Sequence, residues 1–138
     1  MSTEKPAHVC SVLVVDNDPE VVELLRAALT PDGYRVDSAP NGRQALDHLR
    51  SHAETCIIVF ELQLPVMDGE RFRAAQLRDR SLAWIPAIAM SATIDGSRKA
   101  RELGARRFQP KPLDLDELRA ALRQIGCCLA RPRMRTAG

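Results

Sequence analysis

"VLVVDNDPEVVELLRAAL" occupies residues 12–29 and holds one complete strand–turn–helix unit. Its first four residues are apolar without a break, which reads as a strand buried on both faces, the habit of parallel sheets. Asp18 stands where a helix start needs a side-chain acceptor, and Pro19 where a missing N–H costs nothing. Val21, Leu24, Leu25 and Ala28 then share one helical face. "PDG" at 31–33 stops the helix.

The alternation continues to the end of the chain. "YRVDSA" (34–39) mixes polar and apolar residues, as an edge strand does. "NGRQALDHLRSH" (41–52) reads as a helix with Ala45, Leu46 and Leu49 inward. "CIIVF" (56–60) and "PAIAM" (86–90) are two more buried strands, with the helix "GERFRAAQLRD" (69–79) between them. "GSRKARELGA" (96–105) is a short helix closed at Gly104, and "RRFQ" (106–109) is a polar strand. "DLDELRAALRQIG" (114–126) is a last helix with Leu115, Leu118, Leu122 and Ile125 inward. Five βα units predict an α/β fold: a doubly wound parallel sheet with helices on both faces. The apolar strands belong in the centre and the charged second and fifth at the edges. That fits the order 2-1-3-4-5, whose crevice lies at the carboxyl ends of strands one and three.

Composition narrows the function classes. The chain has 138 residues, enough for one domain with a core. Residues 1–8 read as an N-terminal arm, 9–126 as the domain and 127–138 as a loose tail. The net charge of +2 gives no nucleic-acid footprint. No apolar run reaches membrane-spanning length, and "MSTEKPAH" lacks the apolar centre of a secretory signal. The expected location is the cytoplasm. Cys10, Cys56, Cys127 and Cys128 lack zinc-ligand spacing, and a reducing cytoplasm disfavours disulfides, so they read as thiols.

Chemistry collects at the strand ends. Strand one delivers Asp16, Asn17 and Asp18, strand three Glu61, strand four Ser91, and strand five leads to Lys111. An acidic loop after strand one repels a flavin phosphate and favours a hard cation such as Mg²⁺. Asp18 is expected to cap its helix, and Asp68 in "MDG" to shape a turn.

Taken together, "VLVVDNDPE", "LQLPVMDG", "PAIAMSA" and "GARRFQPKP", in this order, resemble the response-regulator receiver domain of two-component signalling. The resemblance covers roughly residues 9–126 and implies a flavodoxin-like three-layer sandwich. It implies an acidic pair binding Mg²⁺ at Asp16 and Asn17, and a phosphoacceptor at the position of Glu61. It implies a phosphate-contacting hydroxyl at Ser91 and a phosphate-pairing lysine at Lys111, with a cis bond between Lys111 and Pro112. Phe108 falls at the aromatic position that reports the change to partners.

Two positions depart from that pattern: Glu61 stands for Asp, and Asn17 for an acid. A methylene adds about 1.5 Å of reach, and a misplacement near 1 Å costs phosphoryl transfer on the order of a hundredfold. Asn17 brings no charge to a metal. The expectation is an atypical stand-alone receiver, not an enzyme, with weak or absent Mg²⁺ at Asp16, Asn17 and Glu61. Glu61 is expected to reach Lys111 and Ser91. Output is expected through a protein partner, a histidine kinase or a downstream signalling protein. Neither nucleic acid nor membrane is expected as a partner. The last two helices and strand five, basic through Arg101, Arg106, Arg107, Arg119 and Arg123, are the expected partner or homodimer surface. The alternatives are a conventional phosphorelay receiver and, more remotely, a small enzyme on the same scaffold.

Overall fold

Five parallel strands form one sheet in the order β2-β1-β3-β4-β5 in the computed structural model, which describes residues 9–126. The strands are β1 (Ser11–Val15), β2 (Arg35–Ala39), β3 (Thr55–Glu61), β4 (Ala87–Ser91) and β5 (Arg107–Pro110). The helices are α1 (Pro19–Leu29), α2 (Gly42–Ser51), α3 (Gly69–Arg78), α4 (Gly96–Glu102) and α5 (Leu115–Ile125). The arm and tail, with Cys127 and Cys128, lie outside the described residues. Among the described residues no helix is long and apolar enough to cross a membrane.

The strand order follows from polarity. β1, β3 and β4 are buried along their whole length, while β2 and β5 alternate with exposed residues. An edge strand pairs on one side only and keeps water on the other, so polar residues cost little there. Asp18, Asn41, Asp68 and Asp114 cap α1, α2, α3 and α5, each accepting a backbone N–H in the first turn.

Two apolar layers flank the sheet. Under α1 and α5 lie Val12, Val14, Ile57, Val59, Ile88 and Met90, with Leu25 and Leu122 from the helices. Under α2, α3 and α4 lie Leu13, Val15, Ile58 and Phe60, with Leu46 and Phe72. The buried face of α1 corrects the sequence reading. It is Val22, Leu25 and Leu29, one residue out of phase with the expected set, and Leu24 is 45% exposed. Apolar residues cover more than half of this helix, so spacing gives the period but not the phase.

Arg73 of α3 is a buried cation held without a carboxylate among the described residues. Its guanidinium donates to the carbonyls of Leu103 and Gly104, each at 3.0 Å, and to Gln76 Oε1 at 2.6 Å. Gln76 in turn donates to the carbonyls of Leu82 and Ile85. Burial lowers the Arg73 pKa, yet a guanidinium stays protonated. It ties the end of α4 to α3. Arg73→Met leaves those acceptors unpaired while relieving a buried charge. The expected net loss is about 2 kcal/mol, read as a lower urea midpoint with unchanged slope.

Candidate functional site

β1 and β3 are neighbours, so their carboxyl ends bring Asp16 and Glu61 to one rim. Both side chains are buried, 1% and 8% exposed. The chain turns sharply after Glu61 because α3 begins directly against it. A Cβ on Gly69 would stand 2.4 Å from the Glu61 carbonyl oxygen and 2.7 Å from Leu62 Cα. Backbone cannot swing away as a side-chain tip can, so Gly69→Ala is expected to cost about 2 kcal/mol. Thermal unfolding checks this.

Lys111 joins the two carboxylates. Its ammonium is 2.8 Å from Asp16 Oδ2 and 2.6 Å from Glu61 Oε1. The remaining oxygens are also engaged. Asp16 Oδ1 accepts from the N–H of Asp18 at 2.9 Å, and Glu61 Oε2 from the N–H of Gln63 at 3.1 Å. Lys111 is itself placed by its N–H, which donates to the Ser91 carbonyl at 2.9 Å. The Lys111–Pro112 bond is cis. Burial alone would lower the lysine pKa, but the hydrogen bonds and charges of Asp16 and Glu61 outweigh it and raise the pKa above its ordinary value.

Ser91 is at the same rim but not in this bridge. Its hydroxyl shares a 2.8 Å hydrogen bond with that of Thr93 and accepts the Thr93 N–H. The expected Glu61–Ser91 contact is therefore not made: Thr93, two residues on, competes at lower cost because the turn already brings it near. Asn17 is exposed. Phe108 is half-buried against the layer under α2, α3 and α4. A Cβ on Gly96 would meet its Cζ at 2.7 Å and Ser91 Cβ at 3.1 Å. The ring thus lies over the start of α4, next to Ser91.

Thr93, Gly69, Gly96 and Gln63 are parts of this site that the strand-end pattern missed. The S-x-T spacing and the glycines that open α3 and α4 were the available signals.

The donor set does not fit a divalent cation as it stands. Mg²⁺ needs free oxygens in octahedral array, whereas each oxygen of Asp16 and Glu61 already receives an N–H donor and an ammonium sits between them. Among the described residues no three His, Cys, Asp or Glu side chains are grouped to hold an ion.

The basic region divides in the same way. Arg119 pairs bidentately with Asp32 beside α1, at 2.8 and 2.9 Å, so it is committed to the fold. Arg107 donates to Gln124. Arg101, Arg106 and Arg123 make no ion pair among the described residues.

Comparison with known proteins places the fold in a family. The model of the response regulator receiver domain matches residues 12–123. The transcriptional regulatory protein KdpE of Mycobacterium tuberculosis is 34% identical over 116 residues, covering 81% of this chain and 49% of the relative. Sporulation initiation phosphotransferase F of Bacillus subtilis is 30% identical over 114 residues, covering 82% of this chain and 90% of the relative. The chain spans about half the length of the first curated relatives, 52% and 49%. A response regulator from Chloroflexus aurantiacus superposes with a TM-score of 0.79 at 26% identity, covering 88% of this chain and 98% of that one. The chemotaxis response regulator CheY4 of Vibrio cholerae shares the fold, with a TM-score of 0.77 at 23% identity over 85% of this chain and 98% of that one. With the family model matched over most of its length, and the strand order and rim already described, this chain belongs to the response regulator receiver domain family of two-component signalling.

Proposed function

We propose that this receiver signals through protein–protein contact without taking a phosphoryl group on Glu61. The observation that carries the reading is the 2.6 Å ion pair between Glu61 and Lys111. The longer carboxylate occupies the lysine that the family resemblance assigns to phosphate. The Phe108 ring, packed over Gly96 beside Ser91, supports an active-like arrangement of the partner surface. The mimicry is partial, since a carboxylate carries less charge and fewer oxygens than a phosphoryl group. Mg²⁺ binding at Asp16, Asn17 and Glu61 is correspondingly weak in this reading.

The partner is a histidine kinase or a downstream signalling protein, met through α4, β5 and α5, and the same surface serves a homodimer. Arg101, Arg106 and Arg123 leave that surface positive, which favours an acidic partner. The second reading is a conventional phosphorelay receiver. It is favoured by the likeness to a protein named a phosphotransferase over 90% of that protein's length. Intact-mass measurement after incubation with a small acyl phosphate and Mg²⁺ separates the two. No phosphoryl mass is expected, and a stable gain mapping to Glu61 would overturn the proposal.

A further inference from the structure

The loops that lead into β3 and β4 lie at the amino ends of those strands, opposite the Glu61 rim. Residues 52–54 join α2 to β3, and residues 79–86 join α3 to β4. Between the two loops is a cavity of about 280 Å³, at the small end of the range that ligand sites occupy, about 300–1,000 Å³. Leu49, Leu82 and Ile85 give it a buried apolar lining, and half-buried Trp84 adds an aromatic one. Cys56, just beyond this loop, packs in the other layer and takes no part; its sulfur is in a disulfide, which corrects the expectation of a plain thiol.

The cavity is held open by the fold. Gln76 has no solvent exposure and donates to the carbonyls of Leu82 at 2.8 Å and Ile85 at 3.0 Å. The Trp84 indole donates to the Ser81 carbonyl at 3.0 Å. Walls fixed in this way need little ordering when a ligand enters, so less of the contact energy is lost.

The polar lining selects the ligand. Arg50 pairs through Nε with Asp79 Oδ2 at 3.4 Å, so its charge is already met, while its Nη groups make no hydrogen bond among the described residues. Ser81 donates its hydroxyl to Asp79 Oδ1 at 2.7 Å. His52 Nδ1 lies 3.0 Å from the His48 carbonyl oxygen. A carbonyl only accepts, so Nδ1 carries the proton, and in the neutral ring Nε2 keeps a lone pair. Stacking on the His48 ring, with centroids 3.9 Å apart, fixes the plane of His52. The lining thus offers one acceptor and the N–H groups of a compensated cation beside apolar surface. An anion gains little from a charge already paired, and Asp79 repels it. A hydroxyl both donates and accepts, and a flat ring suits the space beside an indole.

We propose that this cavity binds a small neutral aromatic alcohol of the phenol class, with its hydroxyl between His52 Nε2 and Arg50. Such a ligand bridges the end of α2 and the α3–β4 loop, away from the Glu61 rim.

The test titrates the full chain with phenol at pH 8 and follows the fluorescence of Trp84, the one tryptophan of the chain. A saturable change is expected, with a dissociation constant of roughly a millimolar, as suits a ligand of so few atoms. Toluene, which lacks the hydroxyl, and benzoate, which carries a charge, are each expected to bind about tenfold more weakly, the worth of one net hydrogen bond. His52→Phe keeps a stacked ring but removes the acceptor, and is expected to bring phenol down to the level of toluene. Ala53→Phe, at an exposed position on the lining, is expected to fill the cavity and abolish binding. If that variant fails to fold, the comparison in His52→Phe decides. No saturable change, toluene or benzoate binding as tightly as phenol, undiminished phenol binding in His52→Phe, or binding that survives in folded Ala53→Phe would each sink the proposal.

Discussion

Lys111→Met is expected to lower the stability of the chain by about 3–5 kcal/mol, the cost of removing one partner from a buried charge pair. The size follows from the geometry. Asp16 and Glu61 are nearly inaccessible to water, and the ammonium between them is the one cation that either carboxylate touches among the described residues. Without it two like charges face each other in a medium that screens them poorly. The backbone N–H groups of Asp18 and Gln63 each satisfy one oxygen but bring no net charge. Met keeps the length and apolar stem of the side chain, so a packing defect does not account for the loss. Urea melts of the variant and the parent at pH 8 measure the loss. A variant as stable as the parent at pH 8 would show that the bridge contributes little.

The second large effect concerns chemistry. The double variant Glu61→Asp, Asn17→Asp is expected to label with a small acyl phosphate and Mg²⁺ at least about a hundredfold faster than the parent. Shortening Glu61 by one methylene withdraws its carboxylate by about 1.5 Å from a lysine now 2.6 Å away. That releases Lys111 from the side chain at 61, leaving its pair with Asp16, and opens the space between the carboxylates. Aspartate at position 17 adds the charged oxygen that the present rim lacks. Time-resolved intact mass gives the rates, and the single variants apportion the gain. If the double variant stays unlabelled, the block lies elsewhere, with Thr93 holding Ser91 the first place to look.

Much of the fold was legible because its determinants are local. A continuous apolar run, an Asp–Pro helix start and a polar edge strand each act over a few residues, and every one of the five units carries at least one local signal of this kind. The cap at Asp18 was readable for the same reason, whereas Asp68, read as a turn residue, caps α3. The phase of α1 was not, since Val21, Val22, Leu24, Leu25, Ala27, Ala28 and Leu29 offer two apolar faces, and only the sheet beneath selects one. Leu24 is left in water by that selection, although spacing marked it as core.

The site divides along the same line. The sequence by itself determined which groups reach the rim: Asp16, Glu61, Ser91 and the Lys111–Pro112 step, each set by its place at or just beyond a strand end. The tertiary structure decided which of them bond. Asp16 and Lys111 are 95 residues apart in the chain, so no local rule relates them; the pairing of β1 with β3 and β4 with β5 does. Ser91 went to Thr93, because a neighbour two residues away is ordered by the turn itself. Cys56 shows the same division at the other end of β3: its apolar run was readable, but the register shift beside it, which accompanies its place with Ile57 and Val59 in the layer under α1 and α5, arises between two strands, and no single strand encodes it.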